Sequence, residues 1–419
     1  MASRLESIKS HFSPSGVASL TAKHPDDVVI VLAARSPLCK AGKGGFKDMR
    51  PDELLTAMFR ATIDRMPIKP AEVEDICVGI VQGSSNTLDA RAAALTAGFP
   101  ETSCVQSVNR FCSSGLMAIS IISNQIRNGE IECGLAMGAE SLSGNQSDLE
   151  GTLSDEIMAH PIGRDCMMTM GETSENVASD FNIPRAKMDE FAAGSHQRAE
   201  AAHRKGLLAQ EILPLVALRH DGPGKDKNPS ERKKVIISED DGLRFGTTKE
   251  SLAKVRSAFP QWKPGNSTGG NSSQITDGAA VVLMMKRSKA DKMGIKILGK
   301  HVATTVAGLP PRIMGIGPVY AIPKILARCN IKKEDVDLWE INEAFSSMAV
   351  YCVETLELDR NLVNVNGGAI AFGHPFGCTG ARQVATGLSE LNRRRGKIMI
   401  TSMCIGSGQG AAACFVGEE

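Results

Sequence analysis

Two cysteines, one histidine and one asparagine stand in segments of this chain shaped by backbone geometry more than by packing. Cys112 lies in RFCSSGLMAI (110–119), at the start of an apolar helix. Unpaired N–H groups and the positive end of the helix dipole favour a thiolate there, which predicts a pKa below the free-thiol value of about 8.5. Ser113, Ser114 and Gly115 are poor core formers and suit a tight turn that exposes a nucleophile, so a merely buried small hydrophobe fits less well. His374 sits in GGAIAFGHPFGCTGAR (367–382), with Gly373 before it and Pro375 after it. Such a loop places an imidazole accurately, either to take a thiol proton or to donate to a developing oxyanion. Cys404 lies in SMCIGSGQGAAA (402–413), where a strand runs into a Gly-rich turn. Gly406, Gly408 and Gly410 miss the dinucleotide pattern because the third glycine comes one residue early and no helix of the right period follows. Backbone N–H groups for an oxyanion are a better use of them. Asn342-Glu343-Ala344-Phe345 adds a polar pair at the end of a strand, on the same edge of the sheet. Cys378 is read as packing, and the other seven histidines, in polar surroundings, as structural. No Gly-x-Ser-x-Gly elbow, Walker loop, His-Glu-x-x-His or paired-carboxylate motif occurs. The set suits acyl transfer through a thioester with a carbanion step, one thiol carrying the acyl group and the other moving a proton at carbon.

The elements that must position these groups alternate. DVVIVLAA (27–34) is an unbroken apolar run that predicts a strand buried on both faces. A helix follows Pro51, because Leu54, Leu55, Met58, Phe59, Ile63 and Met66 recur at helical spacing. Then come a strand at 76–81, a helix at 86–97, a strand around Val105, a helix at 113–127 stopped by Gly129, and a strand at 133–137. This rhythm predicts a layered α/β sheet. Over 141–249 the texture changes to polar helices such as 185–205 and to loops rich in Gly, Pro and charge, an inserted excursion. After Ile275 the rhythm resumes. An internal echo is visible: EVEDICVGIVQG (72–83) precedes the Cys112 turn, EDVDLWEINEAF (334–345) precedes the His374 turn, and each turn opens a helix that leads to an apolar strand. Two similar α/β halves would face their reactive turns across the joint, a common place for a pocket.

Composition narrows the function. With 48 basic and 47 acidic side chains in 419 residues the net charge is +1, too balanced for a protein whose partners are polyanions. Two Trp and two Tyr offer few stacking platforms for bases. The longest apolar run, AAVVLMM (279–285), is far short of the roughly 20 residues of a membrane span. Eleven cysteines without a Cys-x-x-Cys pair argue against a zinc site or a disulfide framework, so the compartment is expected to be reducing. Lys and Arg concentrate in 225–234, which fits either a solvated face or, through Arg232, Lys233 and Lys234, a grip on a phosphate.

NRFCSSG, INEAF, GGAIAFGHPFGCTGAR and SMCIGSGQGAA resemble, in order and spacing, the four signature blocks of the thiolases; STGGNSSQITDGAA (267–280) and MGETSENVA (170–178) are similar to two more. The resemblance spans 27–416 and is nearest to the degradative 3-ketoacyl-CoA thiolases of peroxisomes. It implies a five-layer αβαβα sandwich with an inserted CoA-binding loop domain, assembled as dimers or tetramers, most simply a homodimer. The chain then divides into an N-terminal extension (1–26), an α/β half (27–140), the loop domain (141–249), the rest of that half (250–290) and a second half (291–419). The resemblance implies that Cys112 is the acylated nucleophile, His374 its activator and Cys404 the acid/base at the substrate α-carbon. It implies one oxyanion hole from His374 and a water held by Asn342, and another from the N–H groups of Cys112 and Gly406. Ser273 would hydrogen-bond the pantetheine arm, Gly269 would lie beside it, and Met170 would line the acyl pocket. The basic stretch would meet the CoA 3′-phosphate. CoA enters as a substrate, and neither a cofactor nor a metal is implied. Phe111, Phe376 and Gly269 depart from the commoner Gln, Leu and Ala, and FPQWKPGNSTGG (259–270) is longer than usual, which bears on chain length and CoA affinity. A decarboxylating ketoacyl synthase would not place a cysteine at 404, and an inactive acyl carrier would have lost a reactive group; the biosynthetic acetoacetyl-CoA thiolase is the nearer alternative.

Arg4, Leu5, His11 and Phe12 resemble a type 2 peroxisomal targeting signal read by an import receptor, on one face of a short helix. A tagged Leu5→Arg chain should therefore stay active but cytosolic when localised by microscopy. Entry into peroxisomes would remove this reading of the segment.

Overall fold

The computed structural model describes residues 16–83, 86–144, 153–220 and 231–418. Arg4, Leu5, His11 and Phe12 lie outside them. The strands are β1 (Val28–Arg35), β2 (Cys39–Lys40), β3 (Asp75–Gly79), β4 (Cys104–Val108), β5 (Cys133–Glu140), β6 (Leu215–Arg219), β7 (Lys233–Ile237), β8 (Thr276–Lys286), β9 (Gly299–Gly308), β10 (Leu338–Ile341), β11 (Ile398–Ile405) and β12 (Gln409–Gly417). In the first half the order is β4-β3-β5-β8-β1, and in the second β9-β12-β11-β10. The pairing repeats: β3 runs parallel to β5 as β10 does to β11, and the next two pairs in each half are antiparallel. Among the described residues the two sheets pair at β1 and β9, through Val29↔Lys300 and Ile30↔Gly299.

Period-two alternation turns these sheets into five layers. On β8, Val281, Leu283 and Met285 face one core while Ala280, Val282 and Met284 face another. The first core takes Leu54, Leu55, Met58 and Phe59 of α1 (Pro51–Arg65) and Ala90, Ala93 and Ala94 of α2 (Asn86–Ala97). The second is central and holds α3 (Ser114–Arg127), which follows Cys112, and α8 (Thr379–Arg393), which follows His374. On β12, Ala411, Ala413 and Phe415 turn to this central core while Ala412 and Cys414 face a third. There α6 (Gly317–Cys329) and α7 (Ser346–Thr355) cover the second sheet. Strands covered on both faces read as near-continuous apolar runs, which is why 27–34 carries no alternation.

Within 153–220 and 231–249 lie α4 (Met170–Asp180), α5 (Arg185–Arg204) and the separate β6–β7 hairpin. The helices have no core of their own. Met188, Phe191, Ala192 and Ala193 of α5 join the outer core of the second half, and Ala199 and Ala202 join the central one. A polar helix sequence hides this because only one stripe is apolar.

The central helices cross at van der Waals limits. A Cβ on Gly115 would lie 2.6 Å from Gly377 O and 2.9 Å from Ala381 N, and one on Gly380 would lie 2.4 Å from Leu116 N. Both contacts are with backbone, which cannot swing away. Gly115→Ala should accordingly cost about 1–3 kcal/mol, read as a lower denaturation midpoint in urea. An unchanged midpoint would mean that the crossing is looser than described.

Candidate active site

The Cys112 turn is held by its own side chains. Ser114 Oγ donates to Phe111 O (2.6 Å) and accepts the Arg110 N–H (2.9 Å), while Phe111 N–H donates to Asn109 Oδ1 (2.9 Å). Phe111 takes φ 43°, a left-handed conformation that a bulky side chain adopts at a cost. The strain sits one residue before the thiol. Opposite, Gly373 (φ 101°) turns the chain into His374, whose N–H donates to Gln274 O (3.1 Å). Cys404 is the penultimate residue of β11, just before the hairpin into β12, in a small apolar cluster with Val177, Met314, Ala344 and Met348.

These turns enclose a cavity of about 270 Å³. Cys112, His374 and Cys404 line it together with Met170, Gly269 and Ser273, as do Phe259, Met314, Phe345 and Met348. A larger cleft, about 980 Å³, lies between β1 and residues 207–214 and contains none of the reactive groups.

The imidazole is held at both nitrogens. Thr379 Oγ1 lies 2.6 Å from His374 Nδ1 and donates its own proton to Pro375 O (3.0 Å). With that proton committed, the hydroxyl oxygen accepts from Nδ1–H, which leaves Nε2 as the basic nitrogen. Asn342 Nδ2 donates to Nε2 at 3.3 Å, and Asn342 Oδ1, also buried, has no protein partner among the described residues. Burial, and then the Arg382 charge, push His374 down to about 3, so the imidazole is neutral. Arg382 is buried in turn against Glu340 (3.1 Å), whose carboxyl burial raises to about 8 against the pull of that guanidinium.

One expectation fails. Cys112 is not a thiolate at rest: burial pushes it up to about 12, although the N–H groups of Gly406 and of Cys112 itself pull the other way. Cys404 is raised well above the ordinary thiol value, first by burial, with Cys112 and Cys352 adding to it. The resting site is therefore two neutral thiols and a neutral imidazole.

Arg232 is engaged within the protein. Its guanidinium makes a two-pronged bridge to Glu53 (2.6 and 2.7 Å) and donates to Asp48 O (2.9 Å), which occupies it structurally. Lys233 and Lys234 lie on exposed β7 and line no part of the cavity. Glu343 points away from the chemistry, accepting from Ser195 Oγ (2.5 Å) and Asn364 Nδ2 (2.7 Å). Gly269 has open space where a Cβ would stand, and the Phe376 ring lies edge-on to His374 with centroids 5.3 Å apart. His196 and His301 are buried: Nε2 of His196 pairs with Gly270 O while its Nδ1 has no partner among the described residues, and the two ring nitrogens of His301 pair with the hydroxyls of Ser123 and Thr304. Cys378 is buried in the central core.

Met314 and Met348 carry no signal in the sequence, because apolar residues lining a cavity look like core, whereas Phe259 opens the long segment 259–270 noted above. Phe259 covers Gly171, where a Cβ would meet three ring atoms at 2.6–2.7 Å. The segment after it is pinned by Glu175, which accepts the N–H groups of Gly265, Asn266 and Ser267 (2.7–2.9 Å). Thr379 could have been noticed as a hydroxyl five residues after the histidine, at a helix start. Among the described residues no group of His, Cys, Asp and Glu could hold a metal ion, and every cysteine is free.

Comparison with known proteins gives one pattern. The thiolase N-terminal domain matches residues 28–288 and the thiolase C-terminal domain residues 295–417. The chain is 47% identical over 391 residues to the peroxisomal 3-ketoacyl-CoA thiolase of Homo sapiens, covering 93% of this chain and 90% of that protein. It is similar to the dimeric peroxisomal thiolase of Saccharomyces cerevisiae, with TM-score 0.88 and 43% identity over 96% of this chain and 100% of the other. A second structure of peroxisomal 3-ketoacyl-CoA thiolase from that yeast, described as five-layered and built from two core domains of identical topology, matches with TM-score 0.77 and 39% identity, covering 95% and 100%.

Because the Cys112 thiol is raised to about 12, its alkylation by iodoacetamide in the free protein should rise with pH from 7 to 10 without a plateau. The thiolate fraction grows about tenfold per unit below the pKa. Quantifying the alkylated peptide by mass spectrometry checks this; a plateau by pH 8 would restore the thiolate reading.

Proposed function

The chain belongs to the thiolase family, and from that membership we propose that it is a peroxisomal 3-ketoacyl-CoA thiolase. It cleaves 3-ketoacyl-CoA with CoA to acetyl-CoA and a shortened acyl-CoA in β-oxidation. The observation that carries the reading is that Cys112, His374 and Cys404, from three distant parts of the sequence, line one small apolar cavity. The biosynthetic acetoacetyl-CoA reading is less well supported, because the relatives named above are peroxisomal thiolases, two of them named as 3-ketoacyl-CoA thiolases.

The steps follow from the neutral resting site. Cys112 attacks the 3-keto carbon as its proton passes to Nε2 of His374, and the oxyanion meets the N–H groups of Cys112 and Gly406. The bond between C2 and C3 breaks. The acetyl-CoA carbanion, whose thioester oxygen is stabilised by Nε2–H of His374 and by a water held by Asn342, takes the Cys404 proton. Acetyl-CoA leaves and CoA enters; the Cys404 thiolate removes the CoA proton, and the CoA sulfur attacks the acyl-Cys112 thioester. Cys112 departs and recovers its proton from His374. Ser273 and Gly269 flank the pantetheine arm, and Met170 contacts the acyl chain. CoA is consumed as a substrate, and no separate cofactor takes part.

On this reading the excursion at 141–249 serves CoA binding between two catalytic halves, and the N-terminal segment is the signal for the import receptor. The chain works as a homodimer, a reading supported by the dimeric yeast relative and by β4, a half-exposed strand that ends the first sheet.

Thiolysis assays across 3-ketoacyl-CoA chain lengths test the function; activity confined to the four-carbon substrate would favour the biosynthetic alternative. Cys112→Ala should abolish turnover. Cys404→Ala should lose on the order of 10²–10⁴-fold or more, yet keep Cys112 alkylation and some acetyl-enzyme formation from acetyl-CoA. It should also lose exchange of acetyl methyl hydrogens with deuterated solvent. Wild-type exchange by NMR in Cys404→Ala would overturn its role.

A further inference from the structure

Glu140 ends β5 with a carboxylate that is 1% exposed and, among the described residues, has no cation in hydrogen-bond reach. Its partners are backbone N–H groups from both halves of the chain. Oε1 accepts from Gln82 (3.1 Å), and Oε2 accepts from Val81 (3.2 Å) and from Gly377 (3.0 Å). Gly377 lies three residues after His374. Val81 leads to the nucleophile: its carbonyl accepts Asn109 Nδ2–H (3.1 Å), and Asn109 Oδ1 accepts the N–H of Phe111, the residue before Cys112. A continuous polar path thus runs from the His374 turn through Glu140 and Asn109 to the Cys112 turn.

We propose that Glu140 is a positioning residue that holds the nucleophile turn and the imidazole turn in register across the joint between the halves, with Asn109 as its outer link. The proposal rests on the thiolase reading for its kinetic readout. A cluster of acceptor-bound N–H groups needs a carboxylate and not an amide, because an ionised carboxylate accepts at every lone pair, whereas a glutamine would turn an NH₂ toward one of these donors. Burying such a group is costly unless its hydrogen bonds are satisfied, and here they come from the segment after β3, which Asn109 ties to the Cys112 turn, and from the His374 turn. Burial raises the carboxyl to about 7 against the pull of these N–H groups, with Asp277 adding to the rise. The negative charge also acts on the site, since it adds to the upward push on the Cys112 thiol.

The test uses Glu140→Gln and Asn109→Ala in the full chain. Asn109 is exposed, so its replacement leaves the core intact. Displacement of reacting groups by about 1 Å can cost about 10²-fold, so Glu140→Gln should lower kcat for thiolysis by roughly 10- to 100-fold. KM for CoA should stay near the wild-type value, because Ser273 and Met170 stand on other elements. The pH dependence of Cys112 alkylation should shift downward in Glu140→Gln, where the charge is gone. In Asn109→Ala it should be unchanged while kcat falls, because the charge remains and only the link is cut. A purely structural role would reduce the amount of folded protein without separating kcat from KM or moving the alkylation profile. Wild-type kcat in Asn109→Ala overturns the proposal, as does wild-type kcat in a folded Glu140→Gln. Absence of thiolysis in the wild-type chain would instead remove the thiolase reading, and the alkylation profiles would still report whether Glu140 acts on Cys112.

Discussion

The crossing of α3 and α8 is the contact on which the rest of this molecule depends. The helices begin at the turns that carry Cys112 and His374, so the distance between helix axes sets the distance between these two residues. Side chains at the crossing would hold the helices apart at the usual 8–10 Å. Gly115, Gly377 and Gly380 remove them, and backbone meets backbone. What the glycines cost in chain entropy the surrounding core offsets, because both helices are buried between two sheets and bring Leu116, Ile119, Val384 and Leu388 into one cluster. Chemistry and stability are decided at the same place. A change that loosens the core there also moves the reacting atoms.

The same burial decides the electrostatics. The central helices are covered by a sheet on each face, so the polar groups buried there need partners within the protein. Arg382 finds Glu340, and Arg35 finds Asp240 and Glu211. His374 finds Thr379 and Asn342, and remains uncharged beside Arg382. A neutral imidazole is the useful form for a base that must take a thiol proton, and the environment that disfavours imidazolium at rest also makes it ready to return the proton.

Much of the fold was legible in the sequence because its strands are long, apolar and separated by helices with clear periodicity. The helix over 86–97 and the strand that begins at Cys133 follow directly from that rhythm. The repeat of turn, helix and strand around Cys112 and His374 anticipated that the two turns meet. Less visible was the place of α5, whose single apolar stripe joins two cores at once, and the tight β11–β12 hairpin, in which Ser407 and Gly408 take positive φ. Glu140 is silent in the sequence because its partners, Val81, Gln82 and Gly377, lie far away along the chain. Thr379, by contrast, bonds to His374 and Pro375 within five residues, and Phe259 opens the segment 259–270 that its length already marks.

The thiol expectation failed through a competition of magnitudes. A helix start offers a thiolate at most about 2 kcal/mol even in a partly buried geometry. Complete burial can raise the pKa of an ionisable group by up to about 3–5 units, and each unit corresponds to about 1.4 kcal/mol. A sequence shows the helix start, in the serines and glycine after Cys112, but not the depth at which it lies. Where an exposed turn is assumed the dipole wins; between two sheets desolvation wins. The neutral thiol this leaves is consistent with an apolar cavity, because a standing thiolate there would be an uncompensated buried charge. The charge is better created only in the reacting complex, when N–H groups already aimed at the sulfur and the developing oxyanion can share it.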